Sequence, residues 1–468
     1  MIRKLAISFT VSFACISFVA CNETYSDDVE QTAQCAAVSS FSLSEDENVL
    51  QNLDSVFFSI NLNKGEIYNA DSLPQGTNIT KLVPVITTVD GASLAKLTVT
   101  RQNNTDTVYD YLTNSTDSID FTNPVKLRLV STDGKIERNY TIRVNVHKMK
   151  ADSLAWSRAE RTALPSLFSF PNEQHTSKQG ENILCLTRYQ QQYCLATGSP
   201  TTDSWENREI VFPFTPQVDS FTATADTLYI LSEDGTLYSS TDGSEWTSTS
   251  LNWHAVYGAY GSMLLGSVET TDGWYIQQYP SQSLTKLPEG MPISGTSMPV
   301  LYSFEMALSD QMLLIGGRKA DGALSNATWG FDGSNWVRVS KYHLPVALEN
   351  AVAIPYYTCL VNKVHVATTI PTIIVMGGRK ADNQLSKDVY ISNDYGYSWE
   401  KASAEMQQPE YIPAMHSAQA FVFDLTIDAK SRISKPIESW ECPYIYIFGG
   451  LNESRATMNT VWRGVSTD

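Results

Sequence analysis

Histidine and cysteine, the usual side chains of transition-metal sites, are scarce in this sequence and widely scattered. Among its six histidines no pair has the spacing of metal ligands, and its seven cysteines include no Cys-x-x-Cys pair. The sequence also contains no Gly-x-Ser-x-Gly nucleophile elbow, no phosphate-binding loop and no EF-hand calcium loop. These absences predict a protein without catalytic residues, metal or cofactor. A pair of carboxylates for glycoside hydrolysis stays open, because the separation that such a pair needs is spatial.

Positive charge is also in short supply. The chain has 33 Lys and Arg against 50 Asp and Glu, which gives a formal net charge of −17. Loss of residues 1–20, which carry two positive charges, makes the net charge −19. A chain of this charge repels polyanions, so neither nucleic acid nor an anionic lipid surface is expected as a partner.

A long apolar run stands at the start of the chain. Arg3 and Lys4 precede it, it covers residues 5–20, and Cys21 follows directly. This order is typical of a lipoprotein signal peptide, here residues 1–20, that is cut in front of a cysteine. Each buried methylene of the acyl chains then contributes about 0.8 kcal/mol to membrane anchoring. We therefore expect a lipid anchor on Cys21 and a polar tether over 21–34, with an ordinary secreted protein as the alternative.

Few cysteines remain once Cys15 has left with the signal peptide and Cys21 is acylated. Five are left, namely Cys35, Cys185, Cys194, Cys359 and Cys442. An odd number of cysteines at irregular spacing does not make a disulfide framework. Cys185 and Cys194 stand in two apolar runs that predict a hairpin, across which their side chains can face one another. Buried apolar thiols are expected there, and a disulfide is the alternative.

Residues 35–148 are predicted to form a first domain of short strands. The two clearest, 125–130 and 140–146, alternate apolar and polar residues and are joined through a turn at 131–135. Three further strand-like runs precede them, at 56–60, 82–86 and 97–99. This pattern favours an immunoglobulin-like β-sandwich. It resembles the cadherin-like and immunoglobulin-like modules that act as spacers in bacterial surface proteins.

Recurrent units follow from about residue 150. Each has an apolar strand, a diglycine, a polar loop and a second strand that carries an aromatic residue. The two closest copies begin at Gly316 and Gly377 and share the text Gly-Gly-Arg-Lys-Ala-Asp, and a third begins at Gly449. In each copy the aromatic residue follows at the same distance, as Trp329, Tyr390 and Trp462. Glycine lets the backbone turn and pack where a larger side chain clashes. The units resemble kelch repeats, which implies a β-propeller.

A second motif runs in step with the first and resembles the Asp-box turn. In such turns the aspartate accepts backbone hydrogen bonds, glycine supplies the turn geometry and tryptophan packs into the sheet. Two copies are expected to be structural, namely Asp242, Gly243 and Trp246, and Asp394, Gly396 and Trp399. A degenerate copy stands at 331–336.

Counting both motifs predicts six blades over residues 150–468, with seven as the alternative. The last unit ends without an outer strand. Residues 153–165 resemble the sequence of the outer strand in the fourth unit. A strand in residues 153–165 is therefore expected to close the ring, which removes the exposed edges of the sheets. The expected fold class is all-β, with an immunoglobulin-like sandwich followed by a kelch-like propeller.

Taken over nearly all 468 residues, the lipobox, sandwich and repeats resemble a family of Bacteroidota surface lipoproteins of uncharacterised function. The resemblance implies a lipid-anchored location in the outer membrane, at the cell surface. It says nothing about activity, because propellers host many functions.

The position of the diglycine indicates where a ligand would bind. If it ends the second strand of a blade, the loop after it lies on the face that also carries the connections between blades. Two adjacent blades present matching loops there, suited to a carboxylate or sulfate, and their candidate binding residues are Arg318, Lys319, Asp321, Arg379, Lys380 and Asp382. The alternative is that these are solvated loop residues that form ion pairs with one another.

The expected function is that of a non-enzymatic binding or scaffold module for a glycan or an envelope protein. The alternative is a glycan-active hydrolase with a sialidase-like propeller, since sialidases share Asp boxes and a six-bladed ring. Sialidases need three converging arginines, which one sequence does not show. Acidic and basic side chains converging at the channel with perturbed pKa values would favour the enzyme.

Overall fold

The computed structural model describes residues 35–100, 105–147, 153–159, 162–302, 310–361, 367–428 and 439–467. The predicted signal peptide, Cys21 and the tether lie outside the described residues. Strands dominate the described chain, with single-turn 3₁₀ helices at Leu53–Ser55 and Ala404–Met406, so the expected all-β class is confirmed. In this part of the chain no helix has the length and apolar character needed to cross a bilayer.

The first domain is built on a mixed sheet. Its described strands are β1 (Val38–Leu43), β2 (Phe58–Asn61), β3 (Glu66–Asn69), β4 (Pro84–Thr88), β5 (Leu94–Thr100), β6 (Asp106–Asp110), β7 (Val125–Val130) and β8 (Glu137–Arg143). Six of them form one sheet in the order β2-β3-β8-β7-β5-β6, and β1 pairs with β4 in a separate ribbon. Strands β3 and β8 run parallel.

The core of the first domain lies between the sheet and the β1–β4 ribbon. Leu127 and Leu129 of β7 alternate with exposed polar residues and pack in one cluster with Phe41 of β1. Tyr140 of β8 extends across this core, where its hydroxyl accepts a hydrogen bond from Val38 N at 3.2 Å. Period-two alternation thus buries one face of the sheet, as its sequence pattern predicts. The immunoglobulin-like assignment of this domain stays a prediction.

The described residues from 153 onward form six blades of four antiparallel strands. Blade 1 contains β10 (Glu173–Gln179), β11 (Asn182–Tyr189), β12 (Gln192–Ser199) and β13 (Ser204–Ile210); blade 2 contains β14 (Pro216–Ala223), β15 (Leu228–Ser232), β16 (Thr236–Ser240) and β17 (Thr247–Asn252). Blade 3 contains β18 (Ala255–Tyr260), β19 (Met263–Thr270), β20 (Gly273–Tyr279) and β21 (Leu284–Lys286); blade 4 contains β22 (Val300–Tyr302), β23 (Gln311–Ile315), β24 (Thr328–Phe331) and β25 (Trp336–Arg338).

The last two blades have longer first strands. Blade 5 contains β26 (Val352–Val361), β27 (Ala367–Met376), β28 (Val389–Ser392) and β29 (Glu400–Lys401); blade 6 contains β30 (Gln419–Asp428), β31 (Ser439–Phe448), β32 (Val461–Thr467) and, as its fourth strand, β9 (Ser153–Arg158). Strand β9 pairs with β32 from Ser153↔Thr467 to Arg158↔Trp462. The start of the domain thus supplies the outer strand of its last blade. The propeller part of the expected fold class is confirmed.

The first strands of neighbouring blades contact each other and surround the channel, as seen for β10 with β14, β14 with β18, β22 with β26, β26 with β30, and β30 with β10. Blades pack face to face, so a central strand is buried on both sides. In β23, Met312 and Leu314 join the cluster shared with blade 3, whereas Leu313 and Ile315 join the cluster shared with blade 5. This is why such strands read as continuous apolar runs in the sequence.

Strand order divides the loops of the propeller between two faces. Loops between second and third strands lie on the same face as the connections from one blade to the next, and we call this the connection face. The turns between third and fourth strands, which include the Asp boxes, lie on the opposite face, the Asp-box face.

Candidate functional site

The diglycine loops are held tightly against the connections that follow them. Gly316 and Gly377 both have φ of +67°, and a Cβ at Gly316 would lie 2.3 Å from the Leu348 carbonyl oxygen. At Gly377 the equivalent contact would be 2.4 Å, to the carbonyl oxygen of Met415. Only glycine fits both the left-handed backbone and this close approach. The diglycine therefore brings each loop into contact with the connection leading to the next blade.

The residue after each diglycine pairs through its backbone with the connection before it. Arg379 N donates to Glu349 O at 2.9 Å, and Leu451 N donates to His416 O at 2.8 Å. Arg318 N donates to Ser294 O at 2.7 Å in the same way. Ser294, Glu349 and His416 therefore occupy equivalent positions in three successive connections.

Arg318 is neutralised by the connection into blade 5. Its Nε and Nη2 both donate to Glu349 Oε2, at 2.8 and 2.5 Å, and its Nη1 donates to the Gly322 carbonyl oxygen at 2.8 Å. Glu349 is only 8% exposed. A buried carboxylate needs such a charged partner, so this pair holds the blade 4 loop on the connection.

Arg379 makes the equivalent contact to a histidine. Its Nη2 lies 2.6 Å from His416 Nε2, and His416 Nδ1 lies 3.0 Å from Ser417 Oγ. Because a guanidinium only donates, Nε2 accepts and the proton is on Nδ1. His416 is 4% exposed. Burial, together with the charges of Arg379 and Arg455, lowers the pKa of His416 to about 4. The imidazole is therefore neutral at pH 7.

The other four predicted binding residues make contacts within their own loops. Lys319 Nζ lies 3.3 Å from Asp321 Oδ2, and Asp321 Oδ1 accepts from Ala323 N at 2.9 Å. In the blade 5 loop, Lys380 Nζ donates to Gln384 Oε1 at 3.4 Å, and Asp382 Oδ1 accepts from Gln384 N at 3.0 Å. These contacts lie within each loop and hold its turn, and a role of the six residues in ligand binding stays a prediction.

A polar junction joins blade 6 to blade 1 beside this site. Gln419 Oε1 accepts from Thr176 N at 3.0 Å, and its Nε2 donates to Ser417 O at 2.8 Å. The same Nε2 lies 3.4 Å from His175 Nδ1. Burial lowers the pKa of His175 to about 4, so this histidine is a neutral acceptor. Gln419 thus connects the two strands at which the ring closes.

An exposed apolar segment lies next to the blade 6 loop. Leu167 and Phe170 precede blade 1 and are 56% and 79% exposed. Asn459, at the end of the blade 6 loop, holds this segment in place because its Nδ2 donates to Ser169 O at 2.7 Å and its Oδ1 accepts from Leu164 N at 2.9 Å. An apolar surface therefore borders the loop that carries Arg455.

Sequence reasoning missed Glu349, His416, Gln419 and Phe170. The connections carry no repeated motif of their own, apart from an apolar residue before proline, as at 164–165, 212–213, 287–288, 344–345 and 412–413. Their contacts to the loops depend on the ring and not on local sequence. The diglycine motif identified the arginines of the loops, but nothing in the sequence identified the connection residues that they contact.

The Asp boxes lie on the opposite face and stabilise their blades. Asp242 Oδ1 accepts from Ser244 N at 2.8 Å and from Glu245 N at 3.1 Å, and these bonds lower its pKa. Gly243 and Gly396 have φ of +73° and +87°. The tryptophans pack between blades: Trp246 contacts Phe212 and Phe214, and Trp399 Nε1 donates to Thr328 Oγ1 at 2.9 Å.

The two cysteines of the blade 1 hairpin are free thiols. Cys185 lies opposite Ala196, and Cys194 lies opposite Thr187, so the two cysteines are diagonal neighbours. Burial raises the pKa of Cys185 to about 12, which makes its thiol inert. Side chains of Cys359 and Cys442 lie outside the described residues. Within the described chain, no group of three His, Cys, Asp or Glu is placed to hold a metal ion.

Comparison with protein families matches both domains. The model of the DUF6242 beta propeller domain matches residues 150–468, and that of the domain of unknown function (DUF6242) N-terminal domain matches residues 29–144. No curated protein matches the chain.

Several solved structures are similar in fold. YjhT is 11% identical over 60% of this chain and 94% of its own, with a TM-score of 0.31. YCF48 from Cyanidioschyzon merolae is 10% identical over 67% and 99%, with a TM-score of 0.27. An oligogalacturonate lyase in complex with manganese is 9% identical over 68% and 98%, with a TM-score of 0.34. Identities and scores this low carry no information about function.

Proposed function

The chain belongs to the DUF6242 family, and we propose that it is a non-enzymatic binding or scaffold module at the bacterial cell surface. In this proposal the chain is an outer-membrane lipoprotein of the Bacteroidota type. An acylated Cys21 anchors it, and the first domain is an immunoglobulin-like spacer that holds the propeller away from the membrane. The ligand is a glycan, bound on the connection face.

The observation that carries this proposal is a combination of side chains on the connection face. Phe170 is exposed beside the loop of blade 6, which carries Arg455, and Arg379 of blade 5 lies across the intervening connection. An exposed aromatic ring offers an apolar surface on which a sugar can stack. The arginines of the blade 5 and blade 6 loops, on the same face, offer hydrogen bonds to acidic or hydroxyl groups.

A glycan array tests the proposal. The chain from residue 22 onward is applied to host and dietary glycans, and both retention and product release are followed. We expect saturable retention without cleavage, weakened about tenfold by Phe170→Ala because one stacked ring is lost. Phe57→Ala is the matched control, since Phe57 is a similarly exposed ring (73%) in the first domain.

Two results would contradict the proposal. Release of sugar would identify the protein as a glycan-active hydrolase and direct attention to carboxylates at the channel. An array without retention would favour an envelope protein as the ligand of the propeller.

The anchor is tested separately. Mass spectrometry of the protein from the membrane fraction is expected to find acyl chains on an N-terminal Cys21. A Cys21→Ser variant is expected to leave the membrane fraction. An unmodified N-terminus at another residue would support the secreted-protein alternative.

A further inference from the structure

Equivalent positions on the connection face differ in charge. Glu349 and His416 stand at the same point of two successive connections, and each accepts a hydrogen bond from the arginine of the preceding diglycine loop. Between blades 4 and 5 the pair is a guanidinium and a carboxylate, so the charges cancel. Between blades 5 and 6 the acceptor is an imidazole, and the charge of Arg379 is not cancelled.

A second arginine belongs to the loop whose backbone pairs with the same histidine. The backbone of Leu451 pairs with His416, and the turn that follows places Arg455 on the same loop, with φ of +61° and a hydrogen bond from Arg455 N to Asn452 O at 2.9 Å. Its side chain is exposed, and its charge acts on His416.

Neither arginine has a carboxylate partner among the described residues. Throughout the residues that the structure describes, no ion pair joins Arg379 or Arg455 to an Asp or Glu. A protein with a formal net charge of −17 has more carboxylates than cations. Two cations on neighbouring loops that lack a carboxylate partner are therefore a local exception. Uncompensated cations beside a neutral, buried polar group attract an anion from solution.

We infer that the junction of blades 5 and 6 on the connection face is an anion site for one carboxylate or sulfate group, bound by Arg379 and Arg455 beside His416. The ligand supplies the negative charge that Glu349 supplies one connection earlier. Arg379 is half-buried and its guanidinium has donors beyond the one used on His416, so it can hold an oxyanion in a fork. This inference rests on the proposed function in that it names the charged group of the bound glycan.

The structure itself suggests the sharpest variant. His416→Glu places at this position the residue that Glu349 represents in the preceding connection, and its carboxylate is expected to pair with Arg379. The built-in charge then competes with the ligand. Ser294→Glu is the matched control, because Ser294 is the equivalent residue of the connection into blade 4 and the change in net charge is the same.

The probes are sodium glucuronate, sodium sulfate and glucose, with binding followed by ligand-observed NMR on the chain from residue 22 onward. Glucuronate or sulfate is expected to bind and glucose is not, and the two anions together distinguish a carboxylate from a sulfate ligand. In His416→Glu and in Arg455→Gln we expect about a tenfold or larger loss of affinity, as one charge-assisted contact is removed. Ser294→Glu is expected to bind as the unaltered chain does.

Unchanged anion binding in His416→Glu and Arg455→Gln would overturn the inference. Arg455 is exposed, so its variant stays informative even if substitution of the buried histidine disturbs folding. Retention of a glycan that ignores both variants would leave the proposed function intact and refute this site. Anion binding lost in both variants, with no glycan retained, would support the site and refute glycan recognition.

Discussion

Two histidines with lowered pKa values are expected to make the propeller sensitive to mild acid. His175 and His416 both have a pKa of about 4 in the folded protein, lowered from 6.5 chiefly by burial. The folded state therefore prefers both imidazoles neutral, whereas the unfolded chain protonates them at 6.5. Their contribution to stability is complete above about pH 6.5 and is lost as the pH falls towards 4.

The size of the effect follows from the two pKa values. The pKa of each histidine is 6.5 in the unfolded chain and about 4 in the folded protein. At pH 5 the unfolded chain is therefore protonated and the folded protein is not, which lowers the free energy of unfolding by roughly 2 kcal/mol per histidine. Gln419 and Ser417 connect the two histidines, so the two losses need not add. Asp219 has the opposite effect, because desolvation by the surrounding protein raises its pKa and acid relieves that cost. Carboxyl groups with lowered pKa values, such as Asp242, add to the loss of stability in acid only below about pH 4.

Tryptophan fluorescence reports on the unfolding of the propeller. The chain has ten tryptophans, and none of them lies between residues 35 and 147, so fluorescence-detected urea unfolding reports on the propeller alone. We expect the free energy of unfolding to fall between pH 7 and pH 5. In His175→Gln and in His416→Gln, the fall should be smaller by roughly 2 kcal/mol each, because glutamine does not titrate.

The control is His254→Gln, at an exposed histidine of the connection into blade 3. It should lose as much stability in acid as the unaltered chain. If all three variants show the same loss between pH 7 and pH 5, His175 and His416 are not its cause and the reasoning is refuted.

Three further predictions concern the connection face and the thiols. Gly377→Ala is expected to destabilise the propeller by about 3 kcal/mol in urea unfolding, since its Cβ would lie 2.4 Å from a carbonyl oxygen in a left-handed backbone. Gly322→Ala is the control: Gly322 has φ of +83° and nothing within 4 Å of the added Cβ, so this variant should cost about 1 kcal/mol. Arg318→Ala leaves Glu349 buried without its partner and should cost about 2 kcal/mol, part of which the double variant with Glu349→Ala recovers; equal losses in the single and double variants would contradict this account. Cys185 should react with a thiol reagent only after unfolding, and rapid labelling of the native protein would contradict its burial.

Local backbone requirements made much of the fold predictable. Gly316 and Gly377 stand where φ is positive and a neighbouring carbonyl leaves no room for a side chain. Asp242 and Asp394 stand where turns need an acceptor for backbone N–H groups. Such needs are met within a few residues of the chain, so they leave a motif that repeats in the sequence. The all-β class and the propeller followed from them.

Contacts between blades were not predictable in the same way. His416 lies 37 residues from Arg379, and Gln419 lies 243 residues from the Thr176 amide that it accepts from. No local pattern specifies these partners, because closure of the ring decides which loop meets which connection. The repeated loop sequence identified Arg318 and Arg379 as equivalent residues but not the different partners that they meet; a role of the six residues in ligand binding stays a prediction.

The sequence by itself determined the architecture, since diglycines, turn aspartates and buried aromatics each answer a need of the nearby backbone. Tertiary structure alone decided the charge balance of the connection face. Two loops with the same Gly-Gly-Arg-Lys-Ala-Asp text differ because one arginine meets Glu349 and the other meets His416. The electrostatic state of a side chain depends on what is packed against it in space, and that partner comes from a distant part of the chain.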